Sequence, residues 1–121
     1  MSEAVLNEEQ MAAVSAPDGA ALVLAGAGSG KTRVIVERMA WLAEERGVDP
    51  RNILALTFTN KAANEMRARF AARIGVERVA AWLGTFHSFG LFILRREIEA
   101  LGRSKTFTIF DDGDQLSLMK K

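Results

Sequence analysis

The sequence contains no cysteine, which removes disulfides and thiolate metal ligation from any account of its fold or chemistry. It has one histidine, too few for a zinc site of the usual kind. No apolar run approaches the ~20 residues needed to span a bilayer. The opening residues MSEAVLNEE lack the basic start and apolar stretch of a secretory signal, so the expectation is a soluble, cytoplasmic protein. A large charge of one sign is missing as well. The formal net charge is +1, and the chain as a whole does not announce a polyanion partner.

What is plentiful is apolar side chain, 49% of 121 residues, enough for one compact domain with a core. Charge is segregated locally. Residues 1–20 hold Glu3, Glu8, Glu9 and Asp18 with no basic residue, whereas residues 61–78 hold Lys61, Arg67, Arg69, Arg73 and Arg78 against Glu65 and Glu77. A basic face of that kind suits nucleic acid and equally suits a solvated helix. Charge alone leaves both open.

Periodicity and punctuation predict alternating helices and strands. Asn7, with Gln10 three residues on, has the form of a capping box and opens a helix that should stop before Pro17, Asp18 and Gly19. Residues 20–25 (AALVLA) read as a buried parallel strand. A helix is predicted from Gly30 to about Arg46, with Ile35, Met39 and Leu42 on one face and Gly47 as its stop. Residues 52–58 read as a second strand, and Asn60 as the cap of a helix running to Arg73 before Gly75. Residues 79–83 predict a third strand. A helix from Phe86 to Leu101 follows, with Leu91, Leu94, Ile98 and Leu101 on one stripe. Residues 106–110 predict a fourth strand, and Asp114 opens a last helix. This alternation implies an α/β fold, a parallel sheet with right-handed crossovers. Such sheets take ligands at the carboxyl ends of their strands, and three predicted strand exits here are polar or glycine-rich.

The first exit is Ala25, Gly26, Ala27, Gly28, Ser29, Gly30, Lys31, Thr32, a phosphate-cradling loop between a strand and a helix. Its glycines let backbone N–H groups approach phosphate oxygens, and the helix start adds free donors and a favourable dipole. Lys31 supplies a point charge for the β- and γ-phosphates, and the Thr32 hydroxyl is suited to magnesium. The general pattern begins with glycine, and Ala25 stands there as a small substitute. A ligand-free glycine turn does not account for Lys31 and Thr32 in phase with the glycines, so the loop implies a nucleoside triphosphate, ATP with Mg2+.

At the second exit come Phe58, Thr59, Asn60 and Lys61, and at the third Thr85, Phe86 and His87. Exposed aromatics stack on bases, and hydroxyls, amides and lysines hold phosphates. The residues alone allow a plainer reading too, with Phe58 and Phe86 in the core and Asn60 and Thr85 as helix caps. His87 has no second histidine or cysteine with which to hold a metal.

Together these segments resemble the start of the UvrD, Rep and PcrA family of superfamily 1 DNA helicases. The matching pieces are Leu6, Asn7 and Gln10, AGAGSGKTR at 25–33, ALTFTNKAANEMRAR at 55–69, GTFHSFGLFILRR at 84–96 and the tail TFTIFDDGDQLSLMKK at 106–121. The resemblance covers essentially the whole chain. It implies the N-terminal part of a first RecA-like domain over residues 1–121, truncated near the start of an inserted subdomain and with helices on both faces of the sheet. It also implies ATP-dependent 3′–5′ unwinding of DNA in repair or replication restart. Gln10 would read the adenine edge, in addition to or instead of capping, and Arg33 would lie against adenine or ribose. Phe58, Thr59, Asn60, Lys61, Thr85, Phe86 and His87 would contact single-stranded DNA. A helicase–nuclease subunit of the RecB or AddA type shares these opening motifs, and a nucleotide-binding module without activity of its own is a further alternative.

The family's second acidic motif, whose carboxylates hold magnesium and activate water, has no convincing match. Asp111 and Asp112 imitate it superficially, at the end of a run whose alternation suggests a half-exposed strand. Arginine fingers and the second RecA-like domain are absent from the sequence. The expectation is that this chain alone binds nucleotide without useful hydrolysis, and that an open apolar edge at residues 20–25 invites self-association.

Overall fold

A computed structural model of the chain describes residues 5–26, 30–109 and 111–120. The predicted roles of Ala27, Gly28 and Ser29, and the end of the predicted strand at Phe110, lie outside the described residues. The chain divides into two compact units, Met1–Phe86 and His87–Lys121.

In the first unit, helix α1 (Glu8–Val14) opens on the predicted capping box. The Asn7 side chain accepts from the Gln10 amide at 2.8 Å, and the Gln10 carbonyl oxygen Oε1 accepts from the Asn7 amide at 3.0 Å. Helix α2 (Lys31–Glu44) starts after Gly30. Gly47, at φ +65°, turns the chain back so that the Val48 amide reaches the Leu42 carbonyl at 2.9 Å. Strand β1 (Leu54–Thr57), helix α3 (Asn60–Ile74) and strand β2 (Trp82–Thr85) complete the unit. The two strands pair in parallel, Leu54 with Trp82 through Thr57 with Thr85, so the chain makes one strand–helix–strand crossover.

The core is built from α2, α3 and the two strands: Val36, Met39 and Ala40 of α2, Met66 and Phe70 of α3, Ala55 of β1 and Leu83 of β2, with Ile53 and Ala81 just before the strands. Phe70 is fully buried. Helix α3 lies against both strands and α2 packs on α3. Arg73 fastens the last turn of α3 to α2, its Nε 3.1 Å from the Glu37 carboxylate and its Nη1 3.0 Å from that of Glu44.

Several expectations are corrected here. Residues 20–25 form no strand, and Leu22, Val23 and Leu24 are exposed. A buried parallel strand needs hydrogen-bonded neighbours, and the sheet of the described residues has only the two strands already named. The third strand begins at Trp82 rather than 79 and runs through Gly84, because its pairing starts where the Trp82 amide meets the Ile53 carbonyl at 3.0 Å. Gly84 is required there, since a Cβ would stand 2.8 Å from the Trp82 ring. The cap of α3 is Thr59, whose hydroxyl accepts from the Ala62 amide at 3.1 Å, so Asn60 is the first helical residue and not the cap.

In the second unit, helix α4 (Phe86–Glu97) tightens into a 3-10 turn over Ile98–Leu101. Of the predicted stripe, Ile98 is buried whereas Leu94 and Leu101 are exposed. Residues 106–109 form no strand. Helix α5 (Asp112–Met119) is opened by Asp111, not by Asp114. Asp111 accepts from the Asp114 amide at 2.7 Å, and the Asp114 carboxylate returns a bond to the Asp111 amide at 3.2 Å. Among the described residues no helix is long and apolar enough to cross a membrane.

Candidate functional site

Gly30 stands at the N-cap of α2 with φ +81°, a left-handed conformation that side chains with a Cβ rarely adopt. A Cβ there would also press to 3.3 Å from the Gln10 nitrogen Nε2. The glycine therefore does two things. It turns the loop into α2, and it lets α1 come close to the start of α2.

That approach creates a cavity of about 450 Å³, lined by Asn7 and Gln10 of the capping box, by Ala25 and Gly26 of the loop, and by Lys31 and Ile35 of α2. Its size falls in the range of small-molecule sites. Residues far apart in sequence meet here: an amide from α1, a small-residue loop, and a lysine on the first turn of a 14-residue helix. Donors at that helix start and the Lys31 ammonium favour an anion, while Val23, Leu24 and Ile35 supply apolar wall. Thr32 and Arg33 follow half-buried in the first turn of α2 and do not line this cavity.

The exits of β1 and β2 lie side by side because the strands pair in register at Thr57 and Thr85. Phe58 is 88% exposed, which excludes the core reading for it, and Phe86 is 50% exposed. Their ring centroids are 5.3 Å apart with planes inclined by 32°, so the two form one tilted aromatic surface. Asn60 and Lys61 are exposed on the first turn of α3. Thr59 is exposed, with its hydroxyl engaged in the cap. Thr85 is buried at 6% exposure and lies in the strand. His87 is exposed in the first turn of α4.

Two features escape the sequence. The pairing of Phe58 with Phe86 depends on strand register, and no local pattern encodes it. Arg67 donates to the Leu83 carbonyl of β2 and, at 2.9 Å, to Asn64, so part of the basic run is structural. The run of arginines gave no sign of which member would turn inward. Among the described residues no three carboxylates or imidazoles gather as a metal site, and the Asp111 carboxylate is committed to its cap.

The family model for the UvrD/REP helicase N-terminal domain matches residues 6–121. The chain is 50% identical over 115 residues to a protein of Staphylococcus epidermidis named ATP-dependent DNA helicase PcrA, and 48% identical over 115 residues to the protein of that name from Staphylococcus aureus. In both cases the match covers 95% of this chain and 16% of the relative's length.

Proposed function

The chain belongs to the UvrD/REP helicase family, and from that membership we propose that it is the ATP-binding, single-stranded-DNA-contacting N-terminal portion of an ATP-dependent 3′–5′ DNA helicase. In this reading residues 1–121 are the first part of a RecA-like domain, and the β1–α3–β2 unit is a piece of its parallel sheet. The partners are single-stranded DNA and the remainder of the helicase, including a second RecA-like domain. Cytoplasmic location follows from the same reading.

The observation that carries the proposal is the cavity in which Gln10 and Lys31 converge across Gly30. Its chemistry suits the phosphates and the base of ATP. Lys31 and the amides at the start of α2 face a polyphosphate. Gln10 offers a group that both donates and accepts, as an adenine edge requires. Its Oε1 also holds the cap, so capping and base recognition are compatible on one side chain. Thr32 would give its hydroxyl to Mg2+, and Arg33 would lie along the base or ribose. ATP, when bound, would supply a hydrolysable phosphoanhydride bond: in this reading its binding closes the two RecA-like domains and its hydrolysis reopens them.

Phe58 and Phe86 form the base-stacking surface, flanked by Asn60 and Lys61 for backbone phosphate. Thr59, Thr85 and His87 complete the proposed DNA set, with Thr85 acting from within the strand. We assign hydrolysis to the intact helicase and only binding to this chain, because turnover further needs a carboxylate-held metal, an oriented water and an arginine at the γ-phosphate.

The test is Lys31→Ala in the intact helicase. Loss of a charge-assisted contact that strengthens in the transition state lowers ATP turnover by about two orders of magnitude or more, with the fold retained because Lys31 is exposed. Wild-type turnover in that variant refutes the assignment.

A further inference from the structure

Helix α1 has only seven residues, too few to hold its own shape in water. Its placement must come from what it touches. At its C-terminal end, one nitrogen of Arg38 (Nη1) lies 2.9 Å from the Val14 carbonyl, 2.9 Å from that of Ala16 and 3.4 Å from that of Ala13. The Ala13 and Val14 carbonyls are ones a helix end leaves without intrahelical partners, that of Ala16 lies just past the end, and a cation there also meets the negative end of the helix dipole.

The arginine is itself held. Its guanidinium lies 5.7 Å from the ring centroid of Trp41, and Arg46 stands 5.6 Å from the same ring. Arg46 in turn bridges to Asp18 at 2.9 Å. The segment leaving α1 is therefore fastened at two places, to Arg38 of α2 and to Arg46 just past its end, both organised around Trp41. The same α2 carries Lys31, which lines the cavity, two turns before Arg38, which holds the end of α1.

We propose that Arg38 is a positioning residue: by fixing the C-terminal carbonyls of α1 it sets where Gln10 stands relative to Lys31, and so governs base discrimination in the nucleotide site. The inference rests on the nucleotide reading above and adds to it a separation of functions. Triphosphate affinity belongs to α2 and its loop. Base selectivity belongs to the seating of α1, and Arg38 controls only the second.

The experiment measures competition by ATP, GTP and inorganic tripolyphosphate against a fluorescent ATP analogue on this chain. Arg38→Met keeps an apolar stem against Trp41 and removes the donors. Freeing three carbonyls at a partly buried helix end lowers the ATP-to-GTP affinity ratio by about tenfold, while tripolyphosphate binding stays within about twofold of wild type. Arg38→Lys, with donors but no planar fork, restores part of the ratio. An unchanged ratio in Arg38→Met overturns the proposal, as does an equal loss of all three competitors, which marks a merely structural role. Should Arg38→Met not fold, Arg38→Lys carries the test: a ratio lowered about threefold with tripolyphosphate unaffected supports the proposal, and an unchanged ratio contradicts it. A wild-type chain that binds no nucleotide removes the underlying reading, and the proposal with it.

Discussion

Single residues decide which reading of each motif survives. Phe58 alone permitted a core or a DNA-facing position, and its 88% exposure leaves it available to a base. Base–aromatic stacking is worth ~1–3 kcal/mol, so under the proposed function Phe58→Ala in the intact helicase should loosen single-stranded DNA about 5- to 150-fold. Its melting temperature should barely move. A core residue gives the opposite pattern, a lower melting temperature with affinity intact. Gly84 makes the contrasting prediction. A Cβ there sits 2.8 Å from the Trp82 ring, so Gly84→Ala forces a shift in the strand and costs about 1–3 kcal/mol, read as a lower urea midpoint. Capping was legible in part. Asn7 with Gln10 caps α1 as its spacing predicts, whereas α3 is capped by Thr59 and not by Asn60, because two adjacent residue types can both cap and only the backbone angles choose between them.

At the scale of elements, helices were more legible than strands. The starts of α1 and α2 and the end of α3 fall within a residue of their sequence signals, since glycines and caps act locally. The strand expected at 20–25, and that at 106–110 over its described residues 106–109, are not formed, because a strand is defined by its neighbour, and neither an apolar run nor an alternation says whether one is present. The joint between α2 and α3 was also invisible, because it joins Arg73 to Glu37 and Glu44 across 36 and 29 positions of sequence. Arg73→Ala should lower stability by about 1–2 kcal/mol after allowance for partial solvent screening, seen as a melting point roughly 3–10 °C lower. The hydrogen bond to Glu44, foremost, and that to Glu37 raise the Arg73 pKa above the ordinary arginine range, against desolvation. A raised cation contributes fully at every pH below its unfolded value and is lost only as pH climbs through the folded one. The Arg73 charge therefore adds no pH dependence to stability between pH 5 and pH 9, while added salt weakens the joint.

For the molecule as a whole, the exposed run of Leu22, Val23 and Leu24 sits beside the cavity it helps to line. Apolar surface of that kind favours association, so the chain should sediment as monomer when dilute and as larger species when concentrated. Leu22→Ser with Leu24→Ser should abolish that dependence, and unchanged self-association would point to another surface. The family was legible from motif order alone. The convergence of Gln10 with Lys31 was not, because it depends on how α1 seats against α2. Titration of this chain with Mg2+ and ATP decides whether this convergence is a nucleotide site. Saturable binding is expected, weakening about tenfold or more in Lys31→Ala with the loss of a charge-assisted contact to phosphate, with an unchanged melting temperature. Equal binding by wild type and Lys31→Ala, or none by the folded wild type, would contradict it.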